Sequence, residues 1–200
     1  KTDFINVTAH ELRTPLTIVR GYSQILLKDE AIQENDHHQE LISMMHSGAV
    51  RLHEIVNSLL DVAKIDNRAL DLFPEPLSAA AIIELVYQKF EDALVERKLT
   101  LAVDKLGELP TIEADPDALE KIFYHLIANA IKYTPAGGQV RLEAEEDEGR
   151  VLIHIHDSGI GIPGEDIPHI FDRFYRVDKV RSRQEGVGSG AGLGLSITKL

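Results

Sequence analysis

His10-Glu11-Leu12-Arg13-Thr14-Pro15 lies inside an apolar-periodic run from Phe4 to Leu27, and the recurrence of that run predicts one long helix. On such a helix His10 and Thr14 stack on one face, four residues apart, and Glu11 flanks the imidazole. A carboxylate beside an imidazole holds one ring nitrogen protonated and takes up developing positive charge, which leaves the other lone pair for a substrate. His10 is therefore the candidate nucleophile and Glu11 its candidate base. Pro15 removes its own N–H and crowds the Glu11 carbonyl, which predicts a bend beside the nucleophile. Taken alone, the six residues also read as a surface histidine on an amphipathic helix.

Working outward, a polar connector after Leu27 ends at Asn35 and Asp36, candidate caps of a second helix. There Ile42, Met45, Ala49, Leu52, Val56, Leu59 and Ala63 recur at alternating three- and four-residue spacing, widened by Leu41, Ile55 and Val62. That is the seam of a helix packed at a coiled-coil-like angle. Two helices with a short connector make an antiparallel hairpin, which cannot cover both faces of such a stripe. Either a second copy completes a dimeric four-helix bundle or the stripe docks on the rest of the chain; the bundle is the expectation. Residues 1–69 are assigned to this all-α antiparallel helical hairpin. Leu70 to Pro76, with two prolines, reads as a linker that docks through Leu72 and Phe73.

Residues 77–200 change pattern. Ser78 precedes a helix expected from Ala79 to Arg97, with Ile82, Leu85, Val86 and Phe90 inward. Leu99, Leu101 and Val103 alternate as a strand, and Thr111 to Ala114 forms a short one. Asp115-Pro116 opens a helix as cap and first turn, whose buried face is Leu119, Ile122, Phe123, Leu126, Ile127 and Ala130. Gly137-Gly138 and Asp147-Glu148-Gly149 mark turns around two strands that end at Asp157. Helices on one face of a mixed sheet predict an α+β two-layer sandwich.

Four side chains of the 116–134 helix, His125, Asn129, Lys132 and Tyr133, line one edge. An asparagine carbonyl is a hard ligand suited to Mg²⁺, Lys132 supplies charge for phosphates, and Tyr133 suits the border of a base. Asp157 closes the apolar face of a strand and needs a donor such as adenine's exocyclic amine, while Gly159 and Gly161 allow close backbone approach. Gly159-Ile160-Gly161-Ile162-Pro163-Gly164 formally matches a dinucleotide fingerprint. That reading fails, because it requires repeated strand-helix-strand units and gives Asp157 no role. Ile170-Phe171-Asp172-Arg173-Phe174-Tyr175-Arg176 interrupts an otherwise irregular stretch, and Arg173 or Arg176 is the candidate for a terminal phosphate. Gly190-Ala191-Gly192-Leu193-Gly194 then forms a glycine-rich turn into a helix, a setting that favours phosphate.

Together these four motifs, the His10 hexapeptide, Asn129, the Asp157-to-Gly161 run and the Gly190-to-Gly194 turn, resemble the sensor histidine kinases of two-component signalling. The resemblance spans nearly the whole chain in the family's order. It implies an ATP-dependent protein histidine kinase in which His10 takes a phosphoryl group and passes it to an aspartate of a response regulator receiver domain. It further implies ATP and Mg²⁺, with Asn129 on the metal; a homodimer through the hairpin; and a role for Thr14 in dephosphorylating the partner. His125 departs from the family, which usually carries a second asparagine there. The final strand of the family's ATP-binding domain is expected to be missing. A nucleotide-binding scaffold without transfer is the alternative.

Composition bounds these readings. The 200 residues are 44% hydrophobic, enough for packed cores, and carry a net charge of −12. That charge repels nucleic acid, so a phosphate site must be local. With no cysteine there is no disulfide or thiolate metal centre. No run is apolar enough to span a bilayer. Lys1 at the start of a helical pattern reads as a fragment, expected in the cytoplasm, of a parent whose sensing region lies upstream and which the family allows to be membrane-anchored. The remaining histidines, including His154 and His156 on one strand face, lack the partners of a zinc site.

Overall fold

The computed structural model describes residues 2–66, 71–104, 109–177 and 192–199, with backbone alone at 2–10, 66 and 104. The chain divides into two compact units, residues 1–70 and 71–200.

In the first unit α1 (Thr2–Leu26) and α3 (Asp36–Asp66) pack together, joined through the short α2 (Glu30–Gln33). α2 arises inside the expected polar connector because the Asp29 carboxylate accepts the Ala31 N–H at 3.0 Å. Asn35 then caps α3 by accepting the His38 N–H at 3.0 Å. α1 is continuous across Pro15. Leu16, Val56 and Leu60 form the buried centre. Arg13 donates Nε and Nη2 to Asn57 Oδ1 at 3.2 and 2.9 Å, and Ser23, fully buried, meets His46 Nδ1 at 2.9 Å. Much of the apolar stripe stays at the surface: Leu12, Ile18, Tyr22 and Ile25 on α1, and Leu41, Met44, Met45 and Leu52 on α3.

The second unit begins with a correction to the expected linker. Glu75–Leu77 is a strand, β1, paired antiparallel with β3 (Ile112–Ala114) in the register Glu75↔Ala114. Pro76 is tolerated because this is a two-stranded edge. The segment docks by its backbone rather than by Leu72 and Phe73, whose side chains are exposed. The helix expected from Ala79 to Arg97 is two, α4 (Ala79–Gln88) and α5 (Glu91–Glu96). The Lys89 and Phe90 amides turn back to the Val86 and Tyr87 carbonyls, tightening the chain, and the Phe90 ring stacks on Tyr124 with centroids 5.0 Å apart.

A three-stranded sheet has the order β2 (Thr100–Asp104), β4 (Gln139–Asp147), β5 (Arg150–Asp157). β2 and β4 are parallel, in the register Leu101↔Val140, and α6 (Pro116–Tyr133) lies in the crossover such a pair requires. β4 and β5 are antiparallel and close through Glu148 and Gly149, both at positive φ. Asp115 caps α6 on the Ala118 N–H at 2.8 Å, with Pro116 in the first turn. Alternation sends Val140, Leu142 and Ala144 inward against Phe123, Ile127, Ala130 and Ile131 of α6 and Ile83 and Val86 of α4. Helices thus cover one face of a mixed sheet. The other face carries Arg141, Glu143, His154 and His156.

Candidate functional site

α6 presents His125, Asn129 and Tyr133 at four-residue intervals, hence on one face over roughly 12 Å of axis. At its C-terminal end the Tyr133 carbonyl accepts the Ile160 N–H at 3.2 Å. A Cβ on Gly159 would lie 2.7 Å from the Tyr133 oxygen and 2.5 Å from Asp157 Oδ1. Only glycine lets the chain leaving β5 rest against α6 here. Asp157 Oδ1 accepts the Gly159 N–H at 2.9 Å. The carboxylate is exposed and carries a second oxygen for an N–H donor. Gly161 follows at φ 71° with open space where a Cβ would stand.

Toward the middle of α6, Gly194 packs on His125: a Cβ there would sit 3.2 Å from the imidazole Nδ1. Gly194 opens α7 (Gly194–Thr198), anchored by the buried Leu193 and Ile197. Asn129 therefore stands between two glycine segments that the sequence separates by more than thirty positions. Lys132 Nζ lies 5.0 Å from the Tyr133 ring centroid, within cation–π range. Open space at Gly161, an exposed carboxylate at Asp157 and a half-buried amide at Asn129 suit a purine nucleotide with its hard metal ion.

The other sequence-predicted residues are placed less closely. Arg173 is exposed and Arg176 half-buried on the segment leading into and past Phe174, each with interactions of its own, and neither is assigned to a phosphate by this geometry. Gly190 lies outside the described residues. Glu11 and Thr14 are exposed on α1. His10 lies on the same helix, and its side chain is outside the described residues. A shallow depression of about 280 Å³ is lined by Gln139, Arg141, Glu143, His156, Asp157 and Ser158. It touches Asp157 but opens on the charged sheet face, opposite α6. No cluster of metal-binding type occurs among the described residues, His154 and His156 included.

Arg97 escapes sequence reading. Its Nη2 donates to the carbonyls of Lys132 at 3.3 Å and Thr134 at 3.0 Å, closing the C-terminal end of α6. The only signal was a cation at the end of an apolar helical run.

Residues 1–68 match the family described as His Kinase A (phospho-acceptor) domain, and residues 114–200 match Histidine kinase-, DNA gyrase B-, and HSP90-like ATPase. Sensor histidine kinase WalK of Bacillus subtilis is 34% identical over all of this chain, and sensor histidine kinase YkoH of the same organism is 36% identical over 98% of it. The chain spans 32% and 41% of those two proteins. Among solved structures, full-length ShkA in complex with AMPPNP superposes with a TM-score of 0.76 at 27% identity, over 100% of this chain and 40% of that one. Acinetobacter baumannii histidine kinase AdeS gives 0.60 at 26% identity, over 94% and 83%. No helix among the described residues is long and apolar enough to cross a membrane. With both domain types present in order, the chain belongs to the sensor histidine kinases of two-component signalling.

Proposed function

We propose that this chain is the ATP-dependent autokinase core of its parent protein. ATP binds in the second unit, with its purine amine on Asp157, its base beside Gly159, Gly161 and Tyr133, and its phosphates toward Lys132 and the Gly192-to-Gly194 turn. Asn129 would hold Mg²⁺, which when bound neutralises phosphate charge. The observation that carries this reading is that α6 gathers both glycine segments around Asn129.

The acceptor is His10. A ring nitrogen forms the N–P bond as the γ-phosphorus bond to the bridging oxygen breaks, ADP leaves, and Glu11 takes the proton from the other nitrogen. Such transfer asks for positioning and charge neutralisation more than covalent help from the protein. The phosphohistidine then donates to an aspartate of a response regulator, and Thr14, one turn along from His10, assists water in removing that phosphate. The exposed apolar residues of α1 and α3 suit a second copy and a four-helix bundle.

Incubation with γ-labelled ATP tests the reading. The chain acquires acid-labile, base-stable label that His10→Gln abolishes, and light scattering reports a dimer. Saturable nucleotide binding without label would establish the scaffold alternative instead.

A further inference from the structure

Phe174 adopts φ 62°, a left-handed conformation that bulky residues avoid. Its ring is 60% exposed, so side-chain burial does not hold it there. Its backbone does: the Phe174 N–H donates to the Gly192 carbonyl at 2.9 Å. Gly192 is itself at φ 74°, and a Cβ on it would fall 2.8 Å from the Tyr175 oxygen and 2.9 Å from the Phe174 carbonyl carbon. Two segments eighteen positions apart are thus tied backbone to backbone, with Phe174 in a conformation it would leave if released and Gly192 in one that only glycine adopts without cost.

Strain of this kind persists where the surroundings over-determine it. The turn before Phe174 supplies that constraint. Asp166 N–H donates to the Pro163 carbonyl, His169 N–H to Asp166, Asp172 N–H to His169 and Tyr175 N–H to Asp172, at 2.8 to 3.2 Å. The Tyr175 hydroxyl then reaches back and donates to the Asp166 carboxylate, closing the turn on itself. His169 braces it from the side, with Nδ1 2.9 Å from Asp172 Oδ2 and its ring 5.4 Å from that of Tyr175. The bond to Asp166, followed by burial, pushes the Tyr175 phenol above its ordinary value, as expected of the donor in that bond.

We infer that Asp166 and Tyr175 are positioning residues for the terminal phosphate, acting through Phe174 on the backbone of Gly192. The inference rests on the nucleotide reading above. Contacts run from Asp166 to Tyr175, to Phe174, to Gly192, and through Leu193 to Gly194 against His125 of α6. Backbone amides of a glycine turn receive a phosphate only when their conformation is set beforehand. This path of contacts ends on the Gly192-to-Gly194 turn, where the proposed function puts the phosphates, and not on Asp157, so its loss is felt at the γ-phosphate rather than at the base.

Titration of the full chain with fluorescent ATP and ADP analogues decides the matter. Tyr175→Phe and Asp166→Ala are expected to weaken ATP about tenfold, as for one lost hydrogen bond to a charged group, and ADP by less than about twofold, so the ratio of the two affinities changes. Asp166→Asn keeps an acceptor oxygen and restores the wild-type ratio, which a role in folding alone would not produce. In autophosphorylation the same two variants raise KM for ATP. If both bind ATP and ADP in the wild-type ratio while remaining folded in a thermal scan, the inference is overturned. A wild-type chain that binds neither nucleotide would overturn the nucleotide reading itself and this inference with it.

Discussion

Asp115 Oδ2 accepts the backbone N–H of Phe73 at 2.9 Å, across 42 positions of sequence. The same carboxylate caps α6 through Oδ1, so one side chain starts that helix and holds the chain that enters the unit. The Phe73 and then the Ala118 hydrogen bonds hold the Asp115 carboxyl below its ordinary value. Its stabilising contribution is complete above the unfolded value of about 4 and disappears as pH falls through the lower folded value. Asp115→Ala should lower the thermal midpoint at neutral pH and speed hydrogen exchange at the Phe73 amide. The gap from wild type should close in acid titration followed by circular dichroism.

Gly159→Ala places a methyl group 2.5 Å from Asp157 Oδ1 and 2.7 Å from the Tyr133 oxygen; the carboxylate can turn aside, but the backbone carbonyl at the end of α6 cannot. The cost is roughly 1 to 3 kcal/mol of overpacking, expected as a lower midpoint in urea. Because Asp157 and Tyr133 are displaced together, nucleotide affinity should fall at least about tenfold.

Asp157→Asn removes the charge and leaves the exposed backbone turn in place. ATP affinity should fall roughly tenfold to a hundredfold, the worth of a hydrogen bond to a charged group. The thermal midpoint should barely move. Unaltered ATP binding in the folded variant would remove Asp157 from the site.

His53 on α3 has a buried Nδ1 with no hydrogen-bond partner among the described residues. Burial, then the charges of Arg20 and Arg13, lowers its pKa from 6.5. The unfolded chain therefore takes up a proton that the folded one resists, and stability declines as pH drops below 6.5 toward the folded value. Thermal unfolding between about pH 5 and pH 8 should show this slope, flattened in His53→Gln.

Leu60→Ala empties a centre shared with Leu16 and Val56. A loss of roughly 2 to 5 kcal/mol is expected for the helical unit. It should register as an earlier transition for that unit in denaturant.

Features set by neighbouring residues were legible from the sequence. The three-four spacing from Ile42 to Ala63 encodes α3, Asp115-Pro116 announces α6, and Asp147-Glu148-Gly149 specifies the β4–β5 turn, where Glu148 and Gly149 have positive φ. What escaped was decided at a distance. The break at Phe90 follows its stacking on Tyr124, β1 exists because Ile112–Ala114 offers it a partner, and Phe174 takes its conformation from Gly192. In the candidate site, residue chemistry picked out Asn129, Asp157 and the glycines one by one, and only the resemblance to the sensor histidine kinases joined them into a single site. The Asp166–Tyr175 pair carried no local signature, and Arg97 offered only a cation at the end of an apolar helical run.

Arg97 bears on what a helix leaves behind where it stops. The last turn of α6 leaves carbonyls without an intrahelical donor and gathers the negative pole of its peptide array there. A guanidinium on the Lys132 and Thr134 oxygens supplies opposing charge at that pole. One side chain at the exit of α5 thereby fastens two helix ends together across thirty-five positions of sequence.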